Sequence, residues 1–129
     1  MGVLAAILAW QFNRIIGSRP VWKQAYLAPL TEEAVKTLPA ALLSADIFFT
    51  HFFFGAVEGI WEMSTNRRNG FYAGLSSLAS HSIFGYITFF AYDLFGSLAP
   101  ALAAGYLAHA VWNYAVLEYF PARKSGTGR

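Results

Sequence analysis

TEEAVKTLPAALLSADIFFTHFFFGAVEGIW, residues 31–61, opens on two adjacent glutamates and then runs to Glu58 with only Lys36 and Asp46 charged. Read as one helix, the apolar part would cover about 25 residues and cross a bilayer once. Read as a hairpin, a first helix runs from Thr31 to Leu43, turns at Ser44-Ala45-Asp46, and returns to Met63. Serine and aspartate are turn and capping residues, which favours the hairpin.

Basic residues strengthen that choice. In the hairpin, the segment 14–23, the polar loop 64–70 and the tail after 120 all fall on one side. Together they carry Arg14, Arg19, Lys23, Arg67, Arg68, Arg123, Lys124 and Arg129. The opposite turns, near 44–46 and 93–100, carry no Lys or Arg. The positive-inside tendency then puts the basic side, with the C-terminus, in the cytoplasm. A single helix would split these charges across both faces.

The rest of the chain fits a membrane protein. Of its 129 residues, 57% are hydrophobic, 18% aromatic and only 12% charged, where a soluble domain carries roughly a quarter charged residues. A net charge of +2 gives no reason to expect nucleic acid, and the absence of cysteine removes thiolate nucleophiles and Cys-type zinc sites. Gly2 to Ile16 is a short apolar segment without the basic start of a signal peptide. Phe71 to Phe95 and Leu98 to Tyr119 read as two further helices around a turn at Asp93, Gly96, Ser97 and Pro100. The expectation is an all-α, polytopic transmembrane bundle of about four to five helices. It forms one domain over residues 1–120 with a polar tail at 121–129, sits in the cell membrane, and leaves the oligomeric state open.

The hairpin makes ionisable groups converge. Glu33 lies twelve residues before the turn at Ala45, and Glu58 twelve after Asp46. At about 1.5 Å per residue the two carboxylates end level. His81 and His109 flank the second turn in the same way. Carboxylates and imidazoles within lipid are a functional-site hypothesis by default. Glu32 and Lys36, four apart, predict an ion pair. Small residues around His81 (Ser77, Ser80, Gly85) and before His109 (Ala101, Gly105, Ala108) predict close helix contacts. Asn113, four after His109, is placed to fix its ring tautomer.

The same residues carry blander readings. Thr31 can cap a helix with Glu32 and Glu33 in its first turn. His51, seven before Glu58, reads as a polar residue at the outer end of the cavity. Glu62 and Glu118 read as interfacial, and Asp46 and Asp93 as turn caps. Arg67 and Arg68 read as topology residues, and Trp61, Trp112, Tyr114 and Tyr119 as belt and packing groups.

Four of these stretches together resemble the motifs of PrsW-like intramembrane proteases, within the clan of CAAX-type endopeptidases and bacteriocin self-immunity proteins. Ala28-Pro-Leu-Thr-Glu-Glu-Ala-Val-Lys36 resembles the glutamate-pair motif, and Phe54-Gly-Ala-Val-Glu58 the second motif. His81 and its surroundings resemble the third, and His109-Ala-Val-Trp-Asn113 the fourth. Gly59 departs from the pattern, standing where an asparagine often follows the second-motif glutamate.

The resemblance implies an endopeptidase acting on membrane-protein or peptide substrates within the bilayer. Glu32, Glu33, Glu58, His81 and His109 would be its catalytic groups, with Lys36 and Asn113 in support. Glu32 or Glu33 would activate a water, Glu58 would hold it or protonate the leaving amine, and a histidine would stabilise the oxyanion. A metalloprotease-like site is the other possibility, with Zn2+ on Glu33, Glu58, His81 and His109. The order of residues matches neither HExxH nor a cysteine zinc motif. A non-catalytic scaffold or immunity protein of the same fold is the alternative function. A proton relay is a third, which would want its polar groups strung across the bilayer rather than gathered at one level.

Overall fold

The structure, a computed structural model, describes residues 1–16, 20, 22–66 and 68–119. Arg19, Arg67, Phe120 and the tail 121–129, with Arg123, Lys124 and Arg129, lie outside the described residues. Among the described residues the chain is all-α. Its helices are α1 (Gly2–Ile16), α2 (Ala28–Leu42), α3 (Ile47–Thr65), α4 (Gly70–Phe95) and α5 (Leu98–Tyr119), with a π-helical turn at Lys23–Leu27 leading into α2.

The hairpin reading holds. Alpha-helix α2 stops in a Schellman arrangement: Ser44 takes the left-handed conformation (φ 53°), and Ala45 N–H donates to Ala40 C=O at 2.8 Å. Asp46 then caps α3, its carboxylate accepting from Phe49 N–H at 2.8 Å. The second turn ends α4 on Gly96, also left-handed (φ 59°). Asp93 is not a cap: it lies on α4 and is exposed.

One expectation fails at the head of α2. Thr31 is no N-cap, because the helix starts at Ala28 and continues the π turn before it. Pro29 has no N–H to give and its ring crowds the carbonyl four residues back. The wider turn accommodates this, and Ala28 N–H reaches Lys23 C=O instead. Thr31 Oγ donates to Ala28 C=O at 2.9 Å, as a mid-helix hydroxyl does. Glu32 and Glu33 therefore lie inside a helix, and Lys23 begins a helical turn rather than a loop.

Neighbouring helices run α1, α3, α4, α5, α2 and back to α1, closing a ring. The tightest contact is α3 on α4, where Gly59 and Gly74 meet backbone to backbone. A Cβ at Gly59 would sit 2.8 Å from Gly74 C=O. That contact leaves no room for a side chain at position 59. Gly59→Ala is expected to cost about 1–3 kcal/mol by forcing the two helices apart; thermal unfolding of the reconstituted protein checks it.

The ring is polar inside. The largest fully buried side chains are Lys36, His51, Glu33, Thr37, Thr88 and Pro29, whereas the apolar core is a small cluster of Ala5, Ala9 and Phe54. Outside, large apolar groups are bare: Leu42 is 76% exposed, Tyr72 75%, Ile60 68% and Val111 67%. Among the described residues no helix is long and apolar enough to cross a membrane. The two short helices, α1 and α2, have 15 residues each, and the longer ones interleave Ser, His, Gly and Tyr with their apolar residues.

Candidate active site

Alpha-helix α2 delivers Glu32, Glu33 and Lys36 to the middle of the ring, all buried. Their carrier is flanked by α3 with His51, Phe54 and Glu58, by α4 with Ser77 and His81, and by α5 with His109. The five proposed catalytic residues thus come together, but they divide into two layers.

The inner layer is centred on Glu33. Its Oε1 accepts from Lys36 Nζ at 2.5 Å and from His109 Nδ1 at 2.9 Å. Its Oε2 lies 2.9 Å from His51 Nε2. The expected Glu32–Lys36 ion pair is therefore a Glu33–Lys36 pair, three residues apart. Lys36 spends its other donors on His81 Nδ1 at 3.1 Å and on the face of Phe54, 4.6 Å from the ring centre. Both oxygens of Glu33 are thus engaged and the residue is wholly buried, which makes it a less accessible base or ligand than the carboxylates that line the cavity.

The hydrogen-bond inventory fixes several protons. An ammonium only donates, so His81 Nδ1 accepts, its Nε2 carries the hydrogen, and Nε2 donates to Glu58 Oε2 at 2.7 Å. His51 Nδ1 faces the carbonyl of Ile47 at 2.9 Å and must donate to it. One proton is therefore shared between His51 Nε2 and Glu33 Oε2.

The outer layer faces a cavity of about 350 Å3, lined by Glu32, Glu58, Glu62, Ser77, His81, His109 and Asn113 among others. Glu58 accepts from His81 and, at 2.7 Å, from Ser77, both on Oε2. Its Oε1 takes part in none of these bonds and is left to the cavity. Glu32 accepts from Asn13 at 2.9 Å on Oε1, and its Oε2 lies 3.7 Å from His109 Nε2. The rings of His81 and His109 meet edge to face, 5.1 Å apart. His109 is also stacked on Phe84, 4.6 Å between centres.

Three other expectations change. Asn113 does not hold His109; its Nδ2 donates to Gln24 C=O at 3.2 Å, tying α5 to the π turn, and Glu33 holds the ring instead. His51 is not at the outer end of the cavity but wholly buried beneath the site, against Glu33. Glu62, expected only as an interfacial residue, is half-buried and also lines the cavity. Ser77 and Asn13 orient the two cavity carboxylates; the sequence marked Ser77 only as a small residue for close helix contact, and Asn13 only as a polar residue among apolar ones.

A metal has a candidate donor set in Glu32, His81 and His109, whose ligand atoms lie within 4.8 Å of one another. His109 suits it, since donating Nδ1–H to a carboxylate leaves Nε2 as a ligand. His81 does not, because Lys36 on Nδ1 keeps the hydrogen on Nε2. A cation would also stand close to the buried ammonium. The residues as arranged do not fit a zinc site.

No known protein family, curated protein or solved structure matches the chain.

Proposed function

We propose that this chain is an intramembrane endopeptidase that hydrolyses peptide bonds of membrane polypeptides with water activated by Glu58. The observation that carries this reading is the Glu58 carboxylate, held through Oε2 by His81 and Ser77 with Oε1 outside those bonds, in a cavity that Glu32 and His109 also line. Placement in lipid is supported by the inverted distribution of polarity. A ring with Glu, Lys, His and Thr inside and bare Leu, Ile, Val and aromatic side chains outside buries little apolar surface in water. In hydrocarbon it keeps its polar groups paired with one another. At about 1.5 Å per residue, the 26 residues of α4 are about 39 Å long, so its length, though not its apolar content, matches a bilayer core of about 30 Å.

In this reading Glu58 takes a proton from water, and the resulting hydroxide attacks the scissile carbonyl carbon. The carbonyl oxygen becomes an oxyanion, for which His109 Nε2 is a donor when protonated. The C–N bond breaks as Glu58 returns its proton to the leaving amine. Lys36, through His81, orients Glu58 without touching the substrate.

The test is cleavage of a broad pool of single-span membrane peptides by the purified protein in liposomes, with and without a chelator. Cleavage that survives the chelator is expected. Cleavage abolished by the chelator and restored by Zn2+ would overturn the metal-free mechanism. No cleavage by folded protein would overturn the enzyme reading and leave a non-catalytic peptide-binding scaffold. Reporters fused at Ser44 and Ser97 are expected on one side of the membrane and a reporter after residue 129 on the other.

A further inference from the structure

The cavity at Glu58 is joined to a second, larger one. A groove of about 530 Å3 runs between α1 and α3, walled by Ala6, Ile7, Ala9, Trp10, Phe54 and Val57. Its outer rim is bare: Ile7 is 52% exposed, Trp10 49% and Trp61 56%. Its inner end is shared with the site, because Glu32, Glu58 and Glu62 line both cavities. Among the described residues neither lining contains a lysine or arginine; the nearest cation at the rim is Arg14, its guanidinium 5.6 Å over the Trp10 ring and away from the shared inner end. Glu32 and Glu58 are engaged by Asn13, Ser77 and the two histidines. Glu62 lies one helical turn beyond Glu58, and no ion pair among the described residues engages it.

Resting on the endopeptidase reading, we propose that the α1–α3 groove binds the apolar side of a substrate polypeptide. Glu62 selects a lysine or arginine that flanks the bond to be cut. Charge decides the class of occupant. A phospholipid carries an anionic phosphate, which three carboxylates at the inner end of the groove repel. A polypeptide leaving the bilayer on the cytoplasmic side commonly carries basic residues at that border. Such a chain lays small and apolar side chains along Ala6, Ala9 and Val57, passes its backbone before Glu58, and places its cation on Glu62. The charge pair forms where Trp61 and the groove wall partly exclude water, which strengthens it over a fully exposed pair.

Dye-labelled single-span peptides, identical except for Lys, Ala or Glu at the cytoplasmic border of the span, test this. Their binding to the full chain in nanodiscs is read by energy transfer, which needs no turnover. The Lys peptide is expected to bind about five- to tenfold tighter than the Ala peptide, and the Glu peptide more weakly than either. In Glu62→Gln the Lys preference falls to about twofold or less, and in Glu62→Lys it reverses toward the Glu peptide. That reversal is a gain that a misfolded variant cannot produce. Ala6→Trp, which fills the groove, is expected to weaken all three peptides alike. Equal binding of the three peptides by wild type would overturn the proposal, as would a Lys preference untouched by both Glu62 variants. Full displacement of all three by an uncharged acyl chain would also overturn it, making the occupant a lipid. Charge-selective binding without cleavage would overturn the endopeptidase reading and leave the groove assignment standing.

Discussion

Glu33→Gln is expected to destabilise the protein by about 3–5 kcal/mol, the range for removing one partner of a buried ion pair. Glu33 and Lys36 are both wholly buried, and among the described residues the carboxylate is the sole acidic partner of the ammonium. The amide leaves Lys36 charged among His81 and Phe54, and it leaves His109 and His51 facing a group that can accept at one atom only. Equilibrium unfolding in mixed micelles reads the loss. The double variant Glu33→Gln/Lys36→Met is expected to recover much of the stability, because removing both charges removes the unpaired one. Turnover should not return with it, since His81 loses the donor that fixes its tautomer. A double variant no more stable than Glu33→Gln would show that the ion pair is not what Glu33 contributes.

Glu58→Gln is expected to behave in the opposite way, losing about 10²–10⁴-fold in cleavage rate while the fold is kept. The Glu58 side chain is 39% exposed to the cavity, so the amide is not stranded in a dry interior. It still accepts from His81 and Ser77 through its carbonyl oxygen, but the atom turned to the water is now a donor that takes no proton. Cleavage in liposomes gives the rate, and unfolding in the same preparation gives the control. Wild-type turnover in Glu58→Gln would move the base to Glu32, the other cavity carboxylate, and the same pair of measurements on Glu32→Gln would then decide. The two predictions together separate the layers: the first reads what Glu33 contributes to stability, the second whether Glu58 carries the proposed chemistry.

The placement of the helices was largely legible in the sequence, since it rests on local signals. Ser44-Ala45-Asp46 stops one helix and caps the next using side chains and backbone within four residues. Gly96 ends α4 by the same kind of local rule. The failure at Thr31 was also local, but there two signals competed. A threonine before two glutamates reads as a cap, yet the proline two residues earlier is absorbed by a π turn that no side-chain pattern announces.

The gathering of Glu32, Glu33, Glu58, His81 and His109 followed from counting residues to the turns, because rise per residue fixes depth. Depth says nothing of rotation about the helix axis. Lys36 sits four after Glu32 and three after Glu33, and both spacings reach; only the packing of α3 and α4 turned the ammonium to Glu33 and His81. The same packing sent His51 inward and Asn113 to Gln24 rather than to His109.

By itself, the sequence determined that the chain is helical, where its two hairpins turn, and that Glu33, Glu58, His81 and His109 lie at about one level. The tertiary structure alone decided which carboxylate is sealed and which is open to the cavity. That choice depends on the angles at which five helices meet, and those are set by contacts such as Gly59 on Gly74 between residues distant in the chain.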